Sequence, residues 1–326
     1  GSRLSNRDQF NLVVFDQTEK DTNSGLNTMD DRHQNTVIAN YYRQDFIWPG
    51  YTAQASIHYN RDEADLKFDE NDFLVRPDPV GVFQPHTVDA VYLGWTGDGH
   101  INRYNINHAF YWVLGNDELN PLAGRKQDIN AQMAAVEVSY DRDWARFRTS
   151  FFWSSGDDDP NDGEATGFDT IFDNPNFAGG EFSYWQRQQI GLFGVQLVNR
   201  MSLVPDLRSS KIQGQTNFVN PGLFLVNIGF DADVTPKLKL ITNVNWLWFE
   251  ATETLELFTF QDKIAHEIGC DMSLGLEYRP FLNNNVVMVG GVSTLIPGKG
   301  FEDLYNEFEQ QAKPLGAGFL EMVFLF

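Results

Sequence analysis

The sequence predicts an all-β protein, a transmembrane, antiparallel, up-and-down β-barrel. Three observations carry that reading. Aromatic residues make up 14% of the chain, with 27 Phe and 8 Trp, yet mean hydropathy is -0.37. No apolar run approaches the roughly 20 residues a membrane-spanning helix needs, whereas apolar and polar residues alternate over stretches of about ten, enough to cross a bilayer as tilted strands. The chain also closes on LGAGFLEMVFLF, where Gly318, Leu320, Met322, Phe324 and Phe326 share one parity and therefore one face of a strand.

A closed barrel needs that last apolar row, because its final strand pairs with its first and faces lipid. A strand ending on an aromatic carboxy-terminus resembles the closing strand of Gram-negative outer-membrane barrels. The competing fold is a soluble β-sandwich that binds sugars on exposed aromatics, and it predicts solubility without detergent.

Taken in order, Gln9 to Lys20 reads as a first, weakly alternating strand, and Thr36 to Phe46 as a second, ending before a turn at Pro49-Gly50. From Tyr51 the alternation is clean: Tyr51, Ala53, Ala55, Ile57 and Tyr59 oppose Thr52, Gln54, Ser56, His58 and Asn60. Tyr at both ends of the apolar row suits the aromatic girdles of a membrane barrel. After a polar connection from Arg61 to His86, Thr87 to Trp95 leads to a turn predicted at Thr96-Gly97-Asp98-Gly99. The next strand, Ile101 to Leu114, sets Tyr104, Ile106, Phe110, Trp112 and Leu114 against Arg103, Asn105, Asn107 and Tyr111. His108 interrupts the apolar row; with no His or Cys paired to it nearby, it reads as a rim or neighbour contact and not as a metal ligand.

Beyond a polar loop from Gly115 to Gln127, Ile129 to Tyr140 shows a phase slip near Ala134–Val136 that predicts a β-bulge. Trp144 to Ser154 sets Phe147, Thr149, Phe151 and Trp153 against Arg146, Arg148 and Ser150, so its inner face must be wet. Tyr184 to Lys211 is mixed, fitting two imperfect strands or one strand with a helical insert. Leu223 to Asp233, Leu238 to Glu250, Ile268 to Tyr278 and Val286 to Leu295 restore the alternation, with Leu255 to Phe260 ambiguous. Gly298 to Lys313 reads as loop or short helix. The count is about a dozen to fourteen strands, with tight turns at one end and long loops at the other, which is the asymmetry of an outer-membrane barrel. Residues 1–326 form one barrel domain.

Composition narrows the function. Against 45 acidic residues stand 24 basic ones, a net charge of -21, which disfavours nucleic acid and anionic surfaces as partners. The single cysteine, Cys270, forms no internal disulfide. No nucleophile elbow, phosphate loop or zinc spacing is present, and the six His are scattered, so no enzymatic role is expected.

The segment SGDDDPNDGEATGFDTIFDNPNF after Ser154 carries the most specific pattern. A strand ending in Ser155-Gly156-Asp157, then Asp159-Pro160-Asn161-Asp162-Gly163, then Phe168-Asp169 and Phe172, resembles the bacterial alginate export family. The resemblance implies an outer-membrane barrel that passes an anionic polysaccharide through a lumen lined by basic residues. Family barrels have more strands and a longer chain, implying that amino-terminal strands lie outside this sequence. Without the family, the same segment is an acidic cluster: Asp157, Asp159 and Asp162 are candidate oxygen ligands for Ca²⁺, the alternative being a solvated loop of Asx turns.

The candidate lumen residues are Arg103, Arg146, Arg148, Arg187 and Arg200. Gathered in one aqueous channel, they create a positive field that attracts carboxylates or phosphates. Paired with lumen acids such as Asp89, Glu137, Asp231 or Glu277, they brace the barrel instead. The expected function is an outer-membrane channel or porin for polar, anionic solutes or polysaccharide, with outer-membrane lipid around it and no cofactor other than calcium at the acidic loop. The alternative is a structural barrel that sheathes or docks a partner protein.

Overall fold

The computed structural model describes all residues except 21–25, 27, 69–70, 78–80, 83, 172–176, 188–190, 193–194, 197–213, 306–311 and 326. Among the described residues, twelve strands of ten residues or more build one antiparallel sheet in which each lies beside its successor in the chain. They are β1 (Asp8–Lys20), β2 (Met29–Gln44), β3 (Tyr51–Asp62), β4 (Val88–Ile101), β5 (Tyr104–Asn120) and β6 (Arg125–Arg142), then β7 (Ala145–Ser154), β8 (Leu223–Thr235), β9 (Leu238–Trp248), β10 (Glu267–Tyr278), β11 (Val286–Pro297) and β12 (Leu315–Phe324). This is the predicted all-β, up-and-down antiparallel order of strands.

Register explains why the sheet has one apolar and one polar face. Ile57 lies opposite Leu93 and Leu93 opposite Trp112, while Thr149, Ile228, Val244 and Met272 lie abreast across four strands. These outward rows remain uncovered: Ile228 is 57% exposed and Leu320 76%. Rings continue the band, with Phe151 edge-on to Phe224 and Phe224 edge-on to Trp248. Alternate residues point inward and, away from the long-loop end, are mostly polar; Asn227 and Asn245 bond to one another at 2.6 Å, and both are fully buried. An apolar exterior around a polar interior inverts the ordering of a water-soluble fold.

Short turns at 45–50, 102–103, 143–144, 236–237 and 279–285 join the strands at one end. The long connections 63–87, 155–222, 249–266 and 298–314 lie at the other, together with one short turn at 121–124. The long connections fold back over the inner face and supply about half of the apolar core, the strands the rest. One cluster gathers Tyr184, Trp185, Leu225, Leu247, Leu255 and Phe301 under the helices α1 (Tyr184–Arg187), α2 (Glu253–Thr259) and α3 (Lys299–Tyr305). The other packs Phe168, Phe218 and Val219 onto Val88, Tyr92 and Val113.

Four expectations are corrected and one ambiguity is resolved. The bulge near Ala134–Val136 is absent, since β6 pairs without a break through that stretch; the irregularity of the β5–β6 ladder lies at Asp117/Asn120. Small alanines had blurred the alternation without shifting the backbone. The polar stretch after Gly115 is strand up to Asn120. The turn predicted at Thr96–Gly99 is also strand, and the chain reverses at Asn102–Arg103, where Asn102 has φ 54°. Gly97 is there for space: a Cβ on it would lie 2.5 Å from the Tyr51 hydroxyl and 2.8 Å from His108 Nε2. The ambiguous Leu255 to Phe260 is mostly helix. Finally, the seam expected between last and first strand is not formed: β1 and β12 stand at opposite edges among the described residues. Ser2–Arg3 folds back onto Gln9 and Phe10 and takes up ladder positions on the outer edge of β1.

Candidate lumen and its constricted end

The inner row of β7 presents Arg146, Arg148, Ser150 and Ser154, set by strict period-two alternation against the outward Phe147, Phe151 and Trp153. The arginines face inward as the sequence implied, and each has a carboxylate within reach. Arg146 Nη2 donates to Asp141 at 2.9 Å. Arg148 Nη2 donates to Asp231 at 2.8 Å and to Asn243 Oδ1 at 3.0 Å. Lys239 Nζ stands 3.6 Å from the other Asp231 oxygen. A cavity of about 250 Å³ at the short-turn end is lined by Asp141, Asp143, Arg146, Asp231, Asp233 and Lys239. Basic and acidic groups therefore interleave there, leaving no patch of a single sign.

Arg103 belongs to the same end but sits in the β4–β5 turn, half exposed, with its guanidinium 3.4 Å from Asp143. The backbone of Arg187 closes α1, whereas its side chain and all of Arg200 lie outside the described residues. Among the acids expected to brace the lumen, Asp231 pairs with Arg148 and Glu137 accepts from Ser150 Oγ at 2.7 Å. Asp89 faces the other way, on the outward row of β4, beside Tyr59 and Arg61. Lys239 is legible in the pattern, because it shares the parity of the inward Asn243 and Asn245, although it lies at the strand's start.

At the long-loop end the inner face is covered by the chain itself. Thr216 donates to Asp62 through both its N–H (3.0 Å) and its hydroxyl (3.1 Å), while Arg32 approaches the same carboxylate at 3.7 Å. Asn217 N–H donates to Asp169 at 2.9 Å, and Trp185 N–H to Asp271 at 3.1 Å. Phe182 packs at a tilt against Phe319, their ring centroids 5.7 Å apart. Inward carboxylates on β3 and β10 thus receive backbone N–H groups from inserted segments, which satisfies donors that would otherwise be buried unpaired.

The loop after β7 divides into two parts. Its first half is a run of Asx turns: Asp157 accepts from Asp159 N–H, Asp159 from Asn161 N–H, and Asp162 from Glu164 N–H. Asp157, Asp159 and Asp162 each serve their own turn, and no group of three or more His, Cys, Asp or Glu among the described residues is placed to hold a metal. Burial pushes the Asp157 carboxyl up to about 7, with Asp162 and Asp158 adding to the rise. The second half, from Thr166 to Ile171, enters the lumen: Phe168 N–H donates to Ser155 O at 2.8 Å, and Phe168 meets Tyr92 edge-on. The apolar residues of this half are the signal for insertion that the sequence carries. Phe172, the last residue of the matched pattern, lies outside the described residues.

No family model matches the chain, and no curated protein is similar to it in sequence. Among solved structures it is similar to OccK11 (OpdR) of Pseudomonas aeruginosa, at 12% identity and a TM-score of 0.44, over 98% of this chain and 68% of that one. It is also similar to the outer-membrane channel DcaP of Acinetobacter baumannii, at 11% identity and a TM-score of 0.43, over 98% of this chain and 72% of that one. The porin NanC matches at 7% identity and a TM-score of 0.34, over 98% of this chain and all of that one. Likenesses this distant say nothing about substrate.

Proposed function

We propose that this protein is an outer-membrane β-barrel channel for polar solutes, with small anions or an anionic polysaccharide as the substrate class. One observation carries the reading: an outward apolar band on one face of the sheet backs inward rows of Asn, Ser, Asp and Arg on the other, an arrangement that suits lipid outside and water inside. Arg146, Arg148 and Lys239 are the basic groups a passing anion would meet, exchanging for Asp141 and Asp231 along the way. The Asp-rich loop and the segments behind it narrow the far mouth. That covering also favours a second reading, a barrel whose lumen serves docking and not flow.

Single-channel recording in planar bilayers separates the two. Stable conductance steps with anion-biased reversal potentials, the bias falling in an Arg146→Ala/Arg148→Ala variant, are the expected result. Cation bias in the unmodified protein would show that the inward carboxylates dominate and would overturn the anionic substrate class. Insertion without conductance would favour the docking barrel.

A further inference from the structure

We infer that the inner wall carries a binding pocket for a small, flat, aromatic molecule bearing one hydroxyl-type polar group, a ligand class distinct from the polar solutes proposed above. The pocket is a cavity of about 310 Å³ on the lumen side of β2 to β6. That volume lies within the range of small-molecule sites, which are mostly apolar with a few placed polar groups.

Its floor is built by register. Ile38, His58 and Tyr92 lie directly abreast on β2, β3 and β4, and Tyr111 lies abreast of Met133 on β5 and β6. Gly94 leaves room for the Tyr111 ring, since a Cβ there would come within 2.5 Å of it. The roof is Phe168 and Ile171 of the inserted loop. That roof is anchored: the Tyr92 hydroxyl donates to Asp169 O at 3.0 Å, and Asp169 takes the Asn217 N–H. The cavity therefore lies between two tied layers.

One polar group in the wall lacks a partner. His58 Nε2 is shielded from solvent and has no hydrogen-bond partner among the described residues, while the ring is held edge-on to Tyr111, their centroids 5.7 Å apart. A buried polar atom left unpaired costs stability, and a ligand that satisfies it recovers the bond while its ring packs on Tyr111, Phe168 and Met133. Thr170 and the hydroxyl-bearing rings of Tyr92 and Tyr111 are the further polar side chains that line the cavity.

The test uses the full chain in detergent and 2-naphthol, a bicyclic phenol whose hydroxyl both donates and accepts, followed by its fluorescence. Expected are saturable binding and a preference over naphthalene of about fivefold to tenfold, the worth of one buried hydrogen bond. His58→Leu should abolish that preference while leaving binding. Ile171→Trp, on the loop and so without strain on the sheet, should fill the cavity and remove saturable binding, with the β-type circular dichroism unchanged. Non-saturable partitioning equal in wild type and Ile171→Trp would overturn the pocket, and a preference surviving in His58→Leu would overturn the role of His58. The assay needs no ion flow, so a protein that fails to conduct leaves this result standing.

Discussion

Asp157 is where a single residue has the sharpest measurable consequence. It is 1% exposed, its Oδ1 accepts from Asp159 N–H, and its carboxyl is raised to about 7 from an ordinary value near 3.8. A carboxyl raised on folding holds its proton more tightly in the folded state. The folded loop is therefore favoured most below the unfolded value, and that advantage is lost as pH rises from about 4 to 7. Hydrogen exchange across residues 155–171 should show opening that increases over this window in the wild type and stays flat in Asp157→Asn, which keeps the acceptor oxygen. An equal pH response in both would assign the opening to another group. At His108 the local pattern was read correctly: the ring breaks the apolar row because it bonds the Tyr51 hydroxyl at 2.6 Å and packs against Trp95 at 4.8 Å. The partner was out of reach of the sequence, being 57 positions away.

Between elements, the arginine row shows how cross-strand pairing turns a local pattern into a specific arrangement. Arg148 and Asp231 occupy neighbouring strands with side chains only 13% and 10% exposed. Removing one partner leaves a largely buried charge, so Arg148→Ala should cost about 3 kcal/mol, and Arg148→Ala/Asp231→Ala distinctly less than the sum of the two single changes. A double-mutant cycle from urea unfolding in detergent checks this; strict additivity would mean that the pair is solvated and contributes little. The sequence exposed the inward arginines because alternation is local. It left their partners open, because Asp141, Asp231 and Asn243 reach them through strand register. The same limit explains the misread turn at Thr96–Gly99, whose glycines signal a bend in isolation but here accommodate Tyr51 from β3.

For the molecule as a whole, the outward band defines its solvent. Ile228 lies mid-strand on that band, so Ile228→Arg should destabilise the protein by about 2–4 kcal/mol, the cost of a cation near the bilayer midplane. Thr52→Lys, on the wet inward row, should be nearly neutral. Heat-modifiable gel migration and folded yield in lipid vesicles would show the contrast, and equal losses at both positions would argue against a membrane-facing band. The sequence by itself determined the strands, their alternation and which face of each is apolar, because a period of two is written in adjacent residues. Only the tertiary structure decided the rest: which carboxylate answers each arginine, that the chain's own loops cover one end of the lumen, that an aromatic-lined cavity forms beneath them, and that the two edge strands stay apart. Most of those outcomes rest on contacts between residues far apart in the chain, and such contacts leave no local periodicity to read.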